Sequence, residues 1–164
     1  MTDPTTLRGA IEFAVRTEEL GEELYKRLAA RFPEDTEIKE MFEFLAQDEV
    51  AHGNYFRSLL EATPPDEGVS TGPEFQYVRA MSLSQFFMGE DGLKKKCAEI
   101  QSKTDALRIV FELEKATLQY YQALREVLGE NEALDAIIRA EKAHLMKVMQ
   151  YIVTDSKFRG LSDA

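Results

Sequence analysis

Cysteine occurs once in this 164-residue chain, at Cys97. A lone thiol forms no intrachain disulfide and no Cys-x-x-Cys pair, so neither a four-cysteine iron centre nor a zinc ribbon is encoded. Positive charge is also scarce. Twenty Lys and Arg stand against 30 Asp and Glu, for a formal net charge of −10. Phosphate-binding surfaces are basic, so nucleic acid is not an expected partner. The chain has no apolar run of about 18 residues that would span a bilayer. Its opening, Met1-Thr2-Asp3-Pro4, lacks the basic-then-apolar pattern of an export signal. No membrane association is expected, and a cytoplasmic location is.

What remains is ordinary globular composition, 44% hydrophobic and 30% charged, in a chain of single-domain length with enough residues to bury a core. Its two histidines are not placed at random. Each follows a glutamate by three residues, in Glu49-Val50-Ala51-His52 and Glu141-Lys142-Ala143-His144. On a helix, Glu-x-x-His places both side chains on one face about a turn apart, where they can grip a common metal. About one residue in eight is Glu, so chance alone yields both pairs about one time in sixty. Placement along the chain lowers that further.

Hydrophobic residues recur at helical spacing through four segments. The first runs from about Thr5 to Arg31, striped by Ile11, Ala14, Val15, Glu18, Gly21, Tyr25 and Leu28. Pro33 ends it, and Glu34-Asp35-Thr36 opens a second that continues to about Ala62, striped by Ile38, Phe42, Leu45, Glu49, His52, Phe56 and Leu59. The third starts near Ser102 or Thr104 and ends at Gly129, carrying Leu107, Val110, Glu114, Thr117, Tyr121 and Leu124. Gly129 suits a helix stop, and Asn131 suits the N-cap of the fourth, which carries Leu134, Ile137, Glu141, His144, Leu145, Val148 and Ile152. Both Glu-x-x-His pairs, and one glutamate on each partner helix, lie inside an apolar stripe, whereas surface helices turn Glu outward.

The expected architecture is therefore all-α: an antiparallel four-helix bundle of two hairpins, residues 5–62 and 103–154, joined by a long crossover, 63–102, with a C-terminal tail, 155–164. The two halves resemble each other. Glu18 and Glu114 are each followed two turns later by a tyrosine, Tyr25 and Tyr121, and about thirty residues later by Glu-x-x-His. In the first hairpin Glu18 and Glu49 are about equidistant from the turn and come level. In the second, Glu114 and Glu141 are offset by about one helical turn. Within the crossover, Pro64 to Pro73 reads as irregular and Phe75 to Met88 as a short helix packed over the bundle or on a second subunit. Four carboxylates and two imidazoles suit two iron ions, with manganese as the other hard-donor choice.

In this pattern the chain resembles the ferritin-like superfamily and, most closely, rubrerythrin-type diiron proteins. The resemblance rests on Glu18, Glu49/His52, Glu114 and Glu141/His144, and on the Glu-Glu-Leu-Gly…Tyr and Glu-Lys…Tyr-Tyr runs. It implies bridging roles for Glu49 and Glu141, terminal roles for Glu18 and Glu114, and one imidazole per ion from His52 and His144. It also implies an oxidoreductase that reduces H2O2 or O2 with electrons from an external donor protein, with a homodimer as the expected assembly. Two departures stand out. The four-cysteine rubredoxin module of full-length rubrerythrins has no counterpart here. Thr117 occupies the position, three residues after Glu114, of the family's additional glutamate.

Other functions share this donor set: diiron hydroxylases, manganese catalases, and iron oxidation and storage in a ferritin-type shell. A metal-free interaction bundle would have to bury four carboxylates without counter-charge. Among smaller candidates, the Tyr25 and Tyr121 phenols suit hydrogen bonds to ligating carboxylates or to backbone. Asp48 points toward a neighbouring helix and can hold His144, although a solvated aspartate is the commoner role. Position 140 is alanine, so His52 has no equivalent partner. Gly21 and Gly53 either leave room for a small substrate or let helices approach. Cys97 and the six scattered methionines carry no chemistry in this reading, and Glu19, Glu22, Glu23 and Glu112 are expected to face solvent.

Overall fold

The computed structural model describes residues 6–65, 72–73, 76–77 and 89–162, with side chains as far as Thr154. Five helices follow one another among them: α1 (Leu7–Arg31), α2 (Thr36–Ala62), α3 (Gly89–Glu99), α4 (Lys103–Leu128) and α5 (Glu132–Ser162). No helix among the described residues is long and apolar enough to cross a membrane.

Local chemistry sets the helix ends. Thr6 Oγ1 accepts from Gly9 N at 3.0 Å, Asp35 Oδ1 from Ile38 N at 3.1 Å, Ser102 Oγ from Asp105 N at 3.2 Å, and Asn131 Oδ1 from Leu134 N at 2.9 Å. Each such cap satisfies an orphan donor of the first turn, worth about 1 kcal/mol. At the end of α4, Gly129 takes φ 76° and ψ −160° and donates to Arg125 O at 3.0 Å. That backbone region is nearly restricted to glycine. Gly129→Ala is therefore expected to cost about 1–3 kcal/mol in urea denaturation, although a Cβ there would meet no neighbour.

α1 packs against α2, and α4 against α5, as two hairpins. Two apolar layers fix their directions. One holds Ile11, Phe13, Phe56, Tyr121, Leu124, Leu134 and Ile137, and the other holds Leu24, Leu28, Ile38, Phe42, Leu107, Val110 and Val148. α1 and α5 pass from the first layer to the second, while α2 and α4 pass from the second to the first. Because α2 and α4 run the same way, the chain between them must travel the length of the bundle.

That connection differs from expectation in one respect. α3, over Gly89–Glu99, is a helix that the hydrophobic periodicity does not predict. Its charged Lys94-Lys95-Lys96 run and two glycines give little amphipathic signal. Arg31 ties it down by donating to Cys97 O at 3.1 Å and to Ile100 O, and Ile100 enters the second apolar layer. The helix expected over Phe75–Met88 lies outside the described residues, apart from Gln76 and Tyr77. The final helix continues to Ser162, so most of the segment read as a tail is helical.

Candidate metal centre

Between the two apolar layers lies a polar one. Glu18, Glu49, His52, Glu114, Glu141 and His144 are all buried, none more than 7% exposed. Helix periodicity puts them there: Ala14 and Gly21 flank Glu18, Leu45 and Phe56 bracket Glu49 and His52, Val110 and Thr117 flank Glu114, and Ile137 and Val148 bracket Glu141 and His144, all on buried faces. All six residues singled out in the sequence meet at one place. They form two overlapping groups, Glu18/Glu49/His52/Glu141 and Glu49/Glu114/Glu141/His144, in each of which one donor atom per residue lies within 4.8 Å of the others. Glu49 and Glu141 belong to both groups, the others to one.

The contacts are short but leave the donors unsatisfied. His52 Nδ1 is 2.9 Å from Glu141 Oε1 and 3.6 Å from Glu18 Oε2. His144 Nδ1 is 3.5 Å from Glu114 Oε2 and 3.6 Å from Glu141 Oε2. None of these aligns as a hydrogen bond. Glu18 Oε2, His52 Nδ1, Glu114 Oε2, both Glu141 oxygens and His144 Nδ1 are buried without a hydrogen-bond partner. Buried polar atoms are nearly always partnered, so six orphans aimed into one space fit a divalent-cation site. Ligands of one first-row ion at about 2.1 Å stand about 3–4 Å apart, close to the spread seen here. Four carboxylates with two divalent ions would also be electrically neutral.

Protonation reflects the same crowding. Burial, then the charges of neighbouring glutamates, pushes Glu49 well above the usual carboxylate range, and burial pushes Glu18 the same way. Burial and the Glu141 charge raise Glu114 to about 8. Glu141 is the exception: burial works to raise it, yet the adjacent His144 and His52 hold it at about 2. Burial works to lower His144, and Glu114 and Glu141 beside it outweigh that, raising it to about 11. Burial thus favours protonation of Glu18, Glu49 and Glu114 unless cations supply the positive charge.

The tyrosines are arranged crosswise, which the sequence did not reveal. Tyr25 of the first hairpin donates to Glu114 Oε1 of the second, and Tyr121 of the second donates to Glu18 Oε1 of the first. Burial and the nearby glutamate charges hold both phenols well above their usual range, so they stay protonated donors. Each leaves the other oxygen of its glutamate, Glu114 Oε2 or Glu18 Oε2, free for an ion. Tyr25→Phe or Tyr121→Phe is expected to weaken metal binding about 10- to 100-fold with helix content retained, read by cobalt titration and circular dichroism.

Asp48 does reach His144, with Oδ2 2.7 Å from Nε2. Gly21 proves to be a packing glycine: a Cβ there would lie 3.2 Å from Glu49 Cδ, so its bare backbone makes room for that carboxylate. At Gly53 a Cβ would meet Arg57 Nη1 at 3.4 Å and Glu18 Cβ at 3.5 Å, so neither glycine opens a substrate space. Glu19, Glu22 and Glu23 pair with Arg57, Lys26 and Arg27 on the outer surface, and Glu112 is exposed.

A family model described as Rubrerythrin matches residues 10–152. No curated protein and no solved structure matches the chain. The matched stretch takes in all six converging side chains, both crosswise tyrosines and the core of both hairpins, and by it this chain belongs to the rubrerythrin family, whose ferritin-like bundles house diiron-carboxylate centres.

Proposed function

We propose that this protein is a non-haem diiron oxidoreductase that reduces H2O2 or O2 with electrons from an external donor protein. One observation carries the reading: four glutamates and two histidines from four helices converge in two buried groups that share Glu49 and Glu141, and every member but Glu49 has a donor atom there without a hydrogen-bond partner. In this reading Glu49 and Glu141 would serve both ions, with Glu18 and His52 completing the set for one and Glu114 and His144 for the other. When bound, a pair of iron ions would supply two electrons to one oxidant molecule, and the external donor would restore them.

The chain's own residues then have definite tasks. Tyr121 and Tyr25 hold Glu18 and Glu114 by one oxygen each, so the free oxygens need little reorganisation to ligate. The flanking layers, including Phe56 and Phe42, keep bulk water from the site. With one cysteine, these 164 residues hold no four-thiolate relay, so electrons must come from outside them. Thr117, 5% exposed, stands where the family's additional glutamate would be, leaving a set of four carboxylates and two imidazoles. A homodimer in the cytoplasm completes the proposal.

Metal analysis of protein purified without chelator, with absorption spectra before and after dithionite and then H2O2, tests it. About two iron per chain, with near-ultraviolet bands that bleach on reduction and return with peroxide, is the expected result. Two manganese with oxygen evolution from peroxide would replace the reading with catalase. A hollow multi-subunit shell in sedimentation would replace it with storage.

A further inference from the structure

The donor set is close to two-fold symmetric, but its surroundings are not. Asp48 directly precedes Glu49 on α2 and reaches across to α5, where its Oδ2 lies 2.7 Å from His144 Nε2. An ionised carboxylate only accepts, so Nε2 carries a hydrogen toward Asp48, and once the Nδ1 proton is given up that nitrogen's lone pair faces the Glu114/Glu141 side, where a cation would be held. Phe44 adds a second constraint by meeting the His144 ring edge-on, centroids 6.2 Å apart, with Lys147 Nζ 4.5 Å above the Phe44 ring. His144 is therefore held from outside by a hydrogen bond and by packing, and its side chain is 2% exposed.

The equivalent residue on the other side, directly preceding Glu141 on α5, is Ala140. It offers no acceptor. His52 makes its contacts through Nδ1 toward Glu18 and Glu141, and no group among the described residues bonds its outer nitrogen. Its side chain is 9% exposed. One imidazole is thus locked in tautomer and orientation, and the other is set only by its inward contacts.

We propose that Asp48 is a positioning residue that makes the two metal positions unequal: the Glu114/His144 position binds tightly, and the Glu18/His52 position, lacking a counterpart at residue 140, is the weaker and exchangeable one. This rests on the metal-centre reading above. An anchoring carboxylate behind a ligating histidine changes metal affinity about 10- to 100-fold, and that is the expected separation between the two binding steps.

Cobalt(II) titration of the metal-free protein, followed by visible absorption and calorimetry, tests this. The wild-type chain should fill in two steps separated by about tenfold or more. Asp48→Ala should weaken the tight step alone and merge the two, and Asp48→Asn, which keeps an acceptor, should restore part of the gap. Ala140→Asp should tighten the weak step alone, a gain that general damage to the fold does not produce. Two ions binding with equal affinity, or Asp48→Ala weakening both steps alike, would overturn the inequality and leave the centre standing. Failure to bind any cobalt would overturn both.

Discussion

Glu141→Gln is expected to lower metal content from about two ions per chain to one or none while helix content stays unchanged. Glu141 is fully buried and belongs to both donor groups, and its two oxygens approach His52 and His144 respectively. Glutamine preserves its volume, so no cavity opens, but the amide nitrogen cannot ligate and one negative charge is lost. A bridging ligand affects both ions, so the loss should be at least the roughly 100-fold at the upper end for mere supporting groups. At a metal concentration 1,000 times Kd, binding stabilises the native state by about 4 kcal/mol, and a 100-fold weaker site leaves about 1.4 kcal/mol. The metal-induced rise in Tm should therefore largely disappear. Glu112→Gln, at an exposed position on α4, is the control and should change neither quantity. Two ions retained by Glu141→Gln with wild-type Tm would remove Glu141 from the centre.

The metal-free protein is expected to lose stability as pH rises from about 5 to 9, the reverse of acid denaturation. Glu18, Glu49 and Glu114 are raised by burial first and then by the Glu141 charge among others, Glu114 to about 8. For such groups the folded chain binds more protons than the unfolded one. Their stabilisation is complete below the ordinary carboxylate range and is lost as pH climbs through the folded value. His144, raised to about 11 because Glu114 and Glu141 outweigh its burial, acts in the same direction over a higher window. Glu141, held at about 2, contributes only above the usual carboxylate range and loses its share as pH falls toward 2, so it is constant here. Glu114 alone corresponds to a few kcal/mol across the window.

With divalent metal the trend should weaken or reverse, because ions bind the deprotonated carboxylates. Urea midpoints at pH 5.5, 7 and 8.5, with chelator and with metal, would show it. Metal-free stability that stays flat or rises with pH would mean these carboxylates are not buried together.

Much of the centre was legible because its grammar is local. Glu-x-x-His is a statement about one turn of helix, and a glutamate inside an apolar stripe marks itself against the usual outward placement. Helix ends at Thr6, Asp35, Ser102 and Gly129 follow from caps within three residues of each boundary. α3 was missed for the converse reason: its place comes from Arg31 and Ile100, contacts far along the chain, and its own residues lack a strong stripe. The one-turn offset expected for Glu114 and Glu141 does not keep them apart: their carboxylates fall in one donor group.

The sequence by itself determined which residues carry the chemistry and which helices carry them, since propensity, capping and i, i+3 spacing act within a turn or two. Only the tertiary structure decided who meets whom: that Tyr25 serves Glu114 and Tyr121 serves Glu18 across the two hairpins, and that Asp48 holds His144 where a solvated aspartate is the commoner outcome. Those pairings depend on which turn of one helix lies beside which turn of another. That register is set by the packing of the apolar layers on either side, which no single helix contains.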